Sequence, residues 1–249
     1  MNKAIIEFLH YTNDYLKCGG RIDLKIKHTF RVMRLCEEIA SSLNLSEEEI
    51  HVAKIIGLLH DIGRFEQWKK YETFSDKDSI DHADLGVKIL KKNNYLRKYI
   101  EDEKYDDIIL KSVKYHNKYK LPKDLNDEEL LFIRLIRDAD KIDILRLYTL
   151  KGIDLELDKN SFSDEVYNLL LNKKEISRKS LTNKTDRLSI SLGFIFDINY
   201  LYSFNYLKDK KYFDTIVDMY KKKSKNKEFG KQLDEILKVI NNYIEVSLC

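Results

Sequence analysis

Apolar residues recur along this chain at the three- and four-residue intervals of a helical face. A helix over about 25–42 sets His28, Val32, Leu35 and Ile39 on one side, so His28 shares its face with core residues. The next helix begins at Ser46, three residues ahead of Glu49, which is the capping-box pattern. It continues through Ile50, Ala53, Ile56 and Leu59 and delivers His60 and Asp61 at a buried C-terminal end, where Gly63 is expected to terminate it. The stretch from Arg64 to Ser79 is polar and aromatic and reads as a long loop able to wall or cover a site, with Phe65, Trp68, Tyr71 and Phe74 as packing residues. Helices are then predicted over about 81–93, 105–117 and 127–149, and they carry His82, His116 and Asp140 in turn. Beyond Gly152 the pattern stays helical but contains no histidine, and the tyrosines between 200 and 220 read as core.

Composition sharpens this to an all-α fold. The chain of 249 residues contains one proline and eight glycines, so helices with short connections are favoured. The expected division is a domain over 1–150 and a helical extension over 151–249 that packs on it. Charged residues make up 35% with a net charge of +3, a near balance that carries no nucleic-acid footprint, and Lys221 to Lys227 reads as a solvated face. Three cysteines without a CxxC pair suggest reduced thiols and a cytoplasmic protein. The amphipathic N-terminus lacks the apolar run of a signal peptide. The most apolar stretch, Ile190 to Phe204, is broken by Asp197 and Asn199, so no membrane association is expected.

Four of the six histidines, His28, His60, His82 and His116, form an ordered series that Asp140 closes, and His60 is followed directly by Asp61. Imidazole and carboxylate are the usual ligands of divalent transition metals, whereas His10 and His51 fall outside the series. A site for two cations about 3.5–4 Å apart needs a carboxylate that can bridge them. With Asp61 in that place, His28, His60 and Asp140 complete one position, and His82 and His116 the other. A hydroxide bridging such a pair would be a nucleophile near neutral pH. Arg64, Arg31 and Lys141 are the cationic candidates for an anionic substrate, Asp138 a supporting group beside the ligands.

The segments HTFRV (28–32), LLHDIGR (58–64), DHADLG (81–86), YHN (115–117) and RDADKID (137–143) resemble the HD-domain superfamily of metal-dependent phosphohydrolases over roughly residues 20–150. The resemblance implies an all-α bundle and the metal set His28, His60, Asp61, His82, His116 and Asp140, with His82 and His116 marking the binuclear type. It implies a substrate-phosphate role for Arg64, and Glu66 resembles, at a different offset, an acidic residue that some nucleotidases use as a proton donor. No GYP signature and no HDxxED arrangement occurs, which speaks against cyclic-dinucleotide and alarmone substrates. The expected activity is hydrolysis of a phosphoester, in a nucleotide or another small phosphorylated molecule, by a hydroxide bridging two divalent ions drawn from Fe, Mn, Mg, Ni, Co and Zn. Asp61 and Arg64 are the catalytic pair in this reading; Arg31, Arg64, Lys141 and Glu66 contact substrate. A di-iron oxygenase and a non-catalytic nucleotide-binding module are the alternatives, and the C-terminal helices either cap the pocket or form a homodimer face.

Overall fold

Among the described residues of the computed structural model, 1–150, 157 and 161–249, the chain forms α-helices and short 3-10 segments and no strand, as its apolar spacing predicts. These residues divide into two compact units, Met1–Ala139 and Asp140–Cys249. The division falls inside a long helix, and the segment to which the sequence assigns the domain boundary, together with the start of the region beyond Gly152, lies outside the described residues.

The first unit contains α1 (Asn2–Leu16), α2 (Ile22–Ser42), α3 (Glu47–Leu59), α4 (Ile62–Tyr71), α5 (His82–Lys91), α6 (Asp106–Tyr115) and the first half of α7 (Asp127–Thr149). Helix α3 is its centre. Ser46 accepts from the Glu49 amide while Glu49 accepts from the Ser46 amide, so both ends of the capping box are made. Beyond its acidic first turn, Val52, Ala53, Ile55, Ile56, Leu58 and Leu59 are all buried, as in a helix enclosed on every side. It packs along α2 and also meets α1 and α6, while α5 lies against α4 and α6.

The stretch read as a loop from Arg64 is, in its first half, helix α4. Phe65 drives this: it is fully buried against the rings of Phe8, Tyr11 and Tyr15 of α1, at centroid distances of 5.8, 6.0 and 5.9 Å. Lys69 and Lys70 face solvent, which gives the segment its polar appearance. The helix stops at Glu72, which takes a left-handed conformation with φ 51°. Gly63 therefore does not end a helix. It sits within the first turn of α4 because α5 crosses there: a methyl group at this position would overlap the His82 carbonyl oxygen and stand 2.7 Å from the Gly86 amide nitrogen.

The second unit contains the rest of α7, then α8 (Asp164–Leu171), α9 (Arg187–Gly193), α10 (Leu201–Lys210), α11 (Tyr212–Lys223) and α12 (Lys227–Leu248). Asn226 caps α12 by accepting from the amides of Glu228 and Phe229. Phe229, Leu233, Ile236, Ile240 and Ile244 make its buried stripe, which faces α8, α10 and α11. Of the tyrosines in this region, Tyr212 and Tyr220 are buried, and Tyr202 and Tyr206 are half-buried. Lys221 pairs with Asp234 at 2.6 Å on the exposed side. The carboxylate of Asp186 is buried where it accepts hydrogen bonds from the amides of Ser163, Thr182 and Asn183 and from the hydroxyls of Ser163 and Thr182. No helix among the described residues is long and apolar enough to cross a membrane.

Candidate metal centre

Helix ends place most of the series. His60 is the C-terminal cap of α3 and Asp61 the N-terminal cap of α4, so the HD pair is the corner between two helices. His82 opens α5 behind Asp81, which accepts from the amides of Ala83 and Asp84, and His116 closes α6. Of the four histidines, only His28 comes from the middle of a helix, on the buried face of α2. All four imidazoles are buried, whereas His10 is exposed and His51 half-buried.

The four imidazoles meet around Asp61 in two pairs. His28 and His60 bring their Nε2 atoms to 3.3 Å from each other and to 3.7 and 3.6 Å from Asp61 Oδ2. On the other side, His82 and His116 bring Nε2 to within 3.1 Å of Nε2, and these lie 3.2 and 3.9 Å from Asp61 Oδ1. Each triplet forms a group of converging ligand atoms able to hold a metal ion, and Asp61 belongs to both. An aspartate at a helix N-cap ordinarily accepts from the first-turn amides. Asp61 makes no such bond, because its oxygens are turned to the imidazoles.

The far side of the rings settles which nitrogen carries the proton. Nδ1 of His60 is 2.8 Å from the Gly57 carbonyl oxygen and Nδ1 of His116 is 2.7 Å from that of Val113. A carbonyl only accepts, so each Nδ1 is the donor and the neutral ring presents an Nε2 lone pair inward. His82 is fixed similarly by the Asp76 carboxylate, 2.8 Å from Nδ1 to Oδ2. The Nε2 lone pairs of His82 and His116, facing each other at 3.1 Å, repel unless a proton or a cation lies between them, so this donor set fits a divalent metal ion.

Charge around Asp61 is compensated by two basic side chains that differ in visibility from sequence. Lys25, one helical turn ahead of His28 on α2, places Nζ 2.7 Å from Asp61 Oδ2 and was not singled out by the motif. Arg64 Nε lies 3.4 Å from Asp61 Oδ1. Burial alone would raise the Asp61 carboxyl, but the neighbouring positive charges of Lys25 and Arg64 hold it well below the usual carboxylate range. Asp61 is thus an anion in the protein interior. Asp76 also escaped the sequence reading: besides His82, it accepts from Arg64 Nη1 at 2.8 Å and Gln67 Nε2 at 2.9 Å. Burial opposes its ionisation too, and the bonds from His82 and Gln67 with the charge of Arg64 outweigh it.

Arg64 directs Nη1 to Gln67 Oε1, the Phe74 carbonyl and Asp76, at 2.9, 2.6 and 2.8 Å, so it braces the 72–80 segment as well as reaching Asp61. Glu66 accepts from the Tyr15 hydroxyl at 2.9 Å and pairs with Lys70 at 3.0 Å, towards α1. Arg31 is half-buried on α2. Trp68 stacks on Phe74 at 4.8 Å. Arg137 on α7 donates Nη1 to the carbonyls of Tyr115, His116 and Lys118, at 3.1, 3.3 and 2.6 Å, and so anchors the turn that carries His116. Asp138 is fully buried. Asp140 and Lys141 belong to the second unit, where Asp140 is half-buried on α7 and Lys141 pairs with Asp197 at 2.5 Å.

The family model described as HD domain matches residues 26–145, a span that holds every residue of the metal series. Neither the curated proteins nor the solved structures give a match.

Proposed function

Because residues 26–145 of this chain belong to the HD-domain family, we propose that it is a metal-dependent phosphohydrolase that cleaves a small phosphoester, with Asp61 bridging two divalent cations. The observation that carries this reading is the division of labour on one carboxylate, Oδ2 facing His28 and His60 and Oδ1 facing His82 and His116. In the proposal, His28, His60 and Asp61 hold one cation and Asp61, His82 and His116 the other. Bound there, the cations supply Lewis-acid polarisation of a phosphoryl oxygen and lower the pKa of water.

The chain's own contribution is to keep the ligands in one protonation state and one orientation. Val113 and Gly57 carbonyls and the Asp76 carboxylate hold the Nδ1 protons of His116, His60 and His82, so these three rings need not change tautomer before a ligand lone pair is presented. Arg64 ties Asp61 to Asp76 and the 72–80 segment, and its positive charge offsets that of an incoming phosphate. Arg31, Lys141 and Glu66 remain the further substrate contacts of the proposal.

The test is metal analysis of the purified protein followed by a screen of phosphomonoesters and phosphodiesters, with His60→Ala and Asp61→Ala beside the wild type. Metal-dependent phosphate release that both substitutions abolish is the expected result. Equal turnover in all three proteins would discard the site, and dioxygen uptake during turnover would move the protein to oxygenase chemistry on the same ligands.

A further inference from the structure

We infer that Lys25 is a built-in competitor of the cation at the His28–His60 side of the centre, a counter-ion that sets how tightly that metal is held. The inference rests on the metal assignment above and concerns a residue outside the ligand series. Lys25 Nζ lies 2.7 Å from Asp61 Oδ2, the same oxygen that faces Nε2 of His28 and His60. Its ammonium and a divalent cation on those imidazoles therefore draw on one oxygen, and their charges repel across a short distance in buried surroundings. Binding a metal there means giving up or weakening the Lys25–Asp61 ion pair.

Lys25 is also able to yield. Its side chain is 24% exposed while that of Asp61 is 4% exposed, so the lysine is the mobile partner and the carboxylate the fixed one. Four methylene groups separate its charge from α2, and the ring of Phe74 lies 5.9 Å from Nζ, a neighbour that an ammonium can keep as it leaves the carboxylate. Nor is Lys25 the sole cation beside Asp61, since Arg64 Nε lies 3.4 Å from its other oxygen. A ligand to metal that lacked an internal cation would bind more tightly and release less readily; Lys25 lowers that affinity and keeps the metal-free centre neutralised.

The experiment measures Mn²⁺ affinity by titration calorimetry on the full chain stripped of metal, for the wild type, Lys25→Met, Lys25→Gln and Lys25→Arg. The two neutral variants should bind the ion roughly tenfold or more tightly than the wild type, and the arginine variant should stay near the wild type. A purely orienting role gives the opposite sign, weaker binding in Lys25→Met and Lys25→Gln, and that result or no change overturns the inference. Tighter binding in Lys25→Arg as well would also overturn it, because charge would then not be the cause. Two neutral replacements of different polarity keep the test available if one fails to fold, as judged by thermal unfolding. The two readings fail separately: an affinity shift without phosphate release removes the phosphohydrolase proposal alone, and phosphate release lost in Asp61→Ala with no affinity shift in the Lys25 variants removes this inference alone.

Discussion

His82 donates its Nδ1 proton to Asp76, 2.8 Å away, and this one bond links a residue of the 72–80 segment to the inner face of the metal centre. Without it the ring is free to turn, and the basicity that a carboxylate lends to its imidazole is lost. Asp76→Ala should weaken metal binding at the His82–His116 side by about 10–100-fold and leave the His28–His60 side occupied. Metal content after dialysis at fixed free metal should fall from about two to about one ion per chain.

Asp61 and His28 should differ in what their loss removes. Asp61→Ala takes a ligand from both triplets, whereas His28→Ala takes one from a single triplet. The first substitution should leave close to no bound metal and the second about one ion per chain, read by elemental analysis of folded protein. Equal losses from the two would show that the triplets do not act as separate positions.

Gly63 and Gly230 give opposite expectations for the same change. A methyl at Gly63 overlaps the His82 carbonyl, and backbone rather than a flexible side-chain tip stands in the way. Gly63→Ala should cost about 2–3 kcal/mol of stability and displace α5 with its histidine. Gly230 lies in the first turns of α12 with nothing within 4 Å of the added carbon. Gly230→Ala should stabilise by about 0.5–1 kcal/mol, and urea unfolding of the two variants would show the contrast.

Asp186 makes stability depend on pH. Burial raises its carboxyl, but the bonds from Ser163 and Thr182 outweigh this and keep it below the usual range. A depressed value in the folded state means that the contribution is complete above the unfolded value of about 4 and is lost as pH falls through the folded one. Asp186→Asn should therefore cost about 2–3 kcal/mol at neutral pH and progressively less as pH falls below about 4, in denaturant titrations at each pH.

The residues that the sequence exposed are those with a short-range pattern. Helix α7 is predicted over 127–149 and observed over Asp127–Thr149, and the capping box at Ser46 forms, because periodicity and capping act within a few residues. The histidines stood out by type and order. Helix α4 did not, because its anchoring contact, Phe65 on the rings of α1, joins segments about fifty residues apart in the chain. Gly63 was misread for a related reason: glycine signals a helix end and a close helix crossing with the same letter. Asp76 lies in an irregular segment with no period to mark it, and its value comes from a ring on another element. Lys25 had a signal, three residues ahead of His28 on the same helical face, but lysine there reads first as a solvated side chain.

If two cations bind as proposed, a single carboxylate facing two imidazole pairs makes the order of filling matter. The ion that arrives first meets the full negative charge of Asp61, and the second meets an oxygen whose charge is already partly drawn away. The two association steps would then be unequal even if the imidazoles on each side were identical. In that proposal the corner between α3 and α4 would act as a thermodynamic coupler, and a graded supply of metal would populate a half-loaded protein as a distinct species.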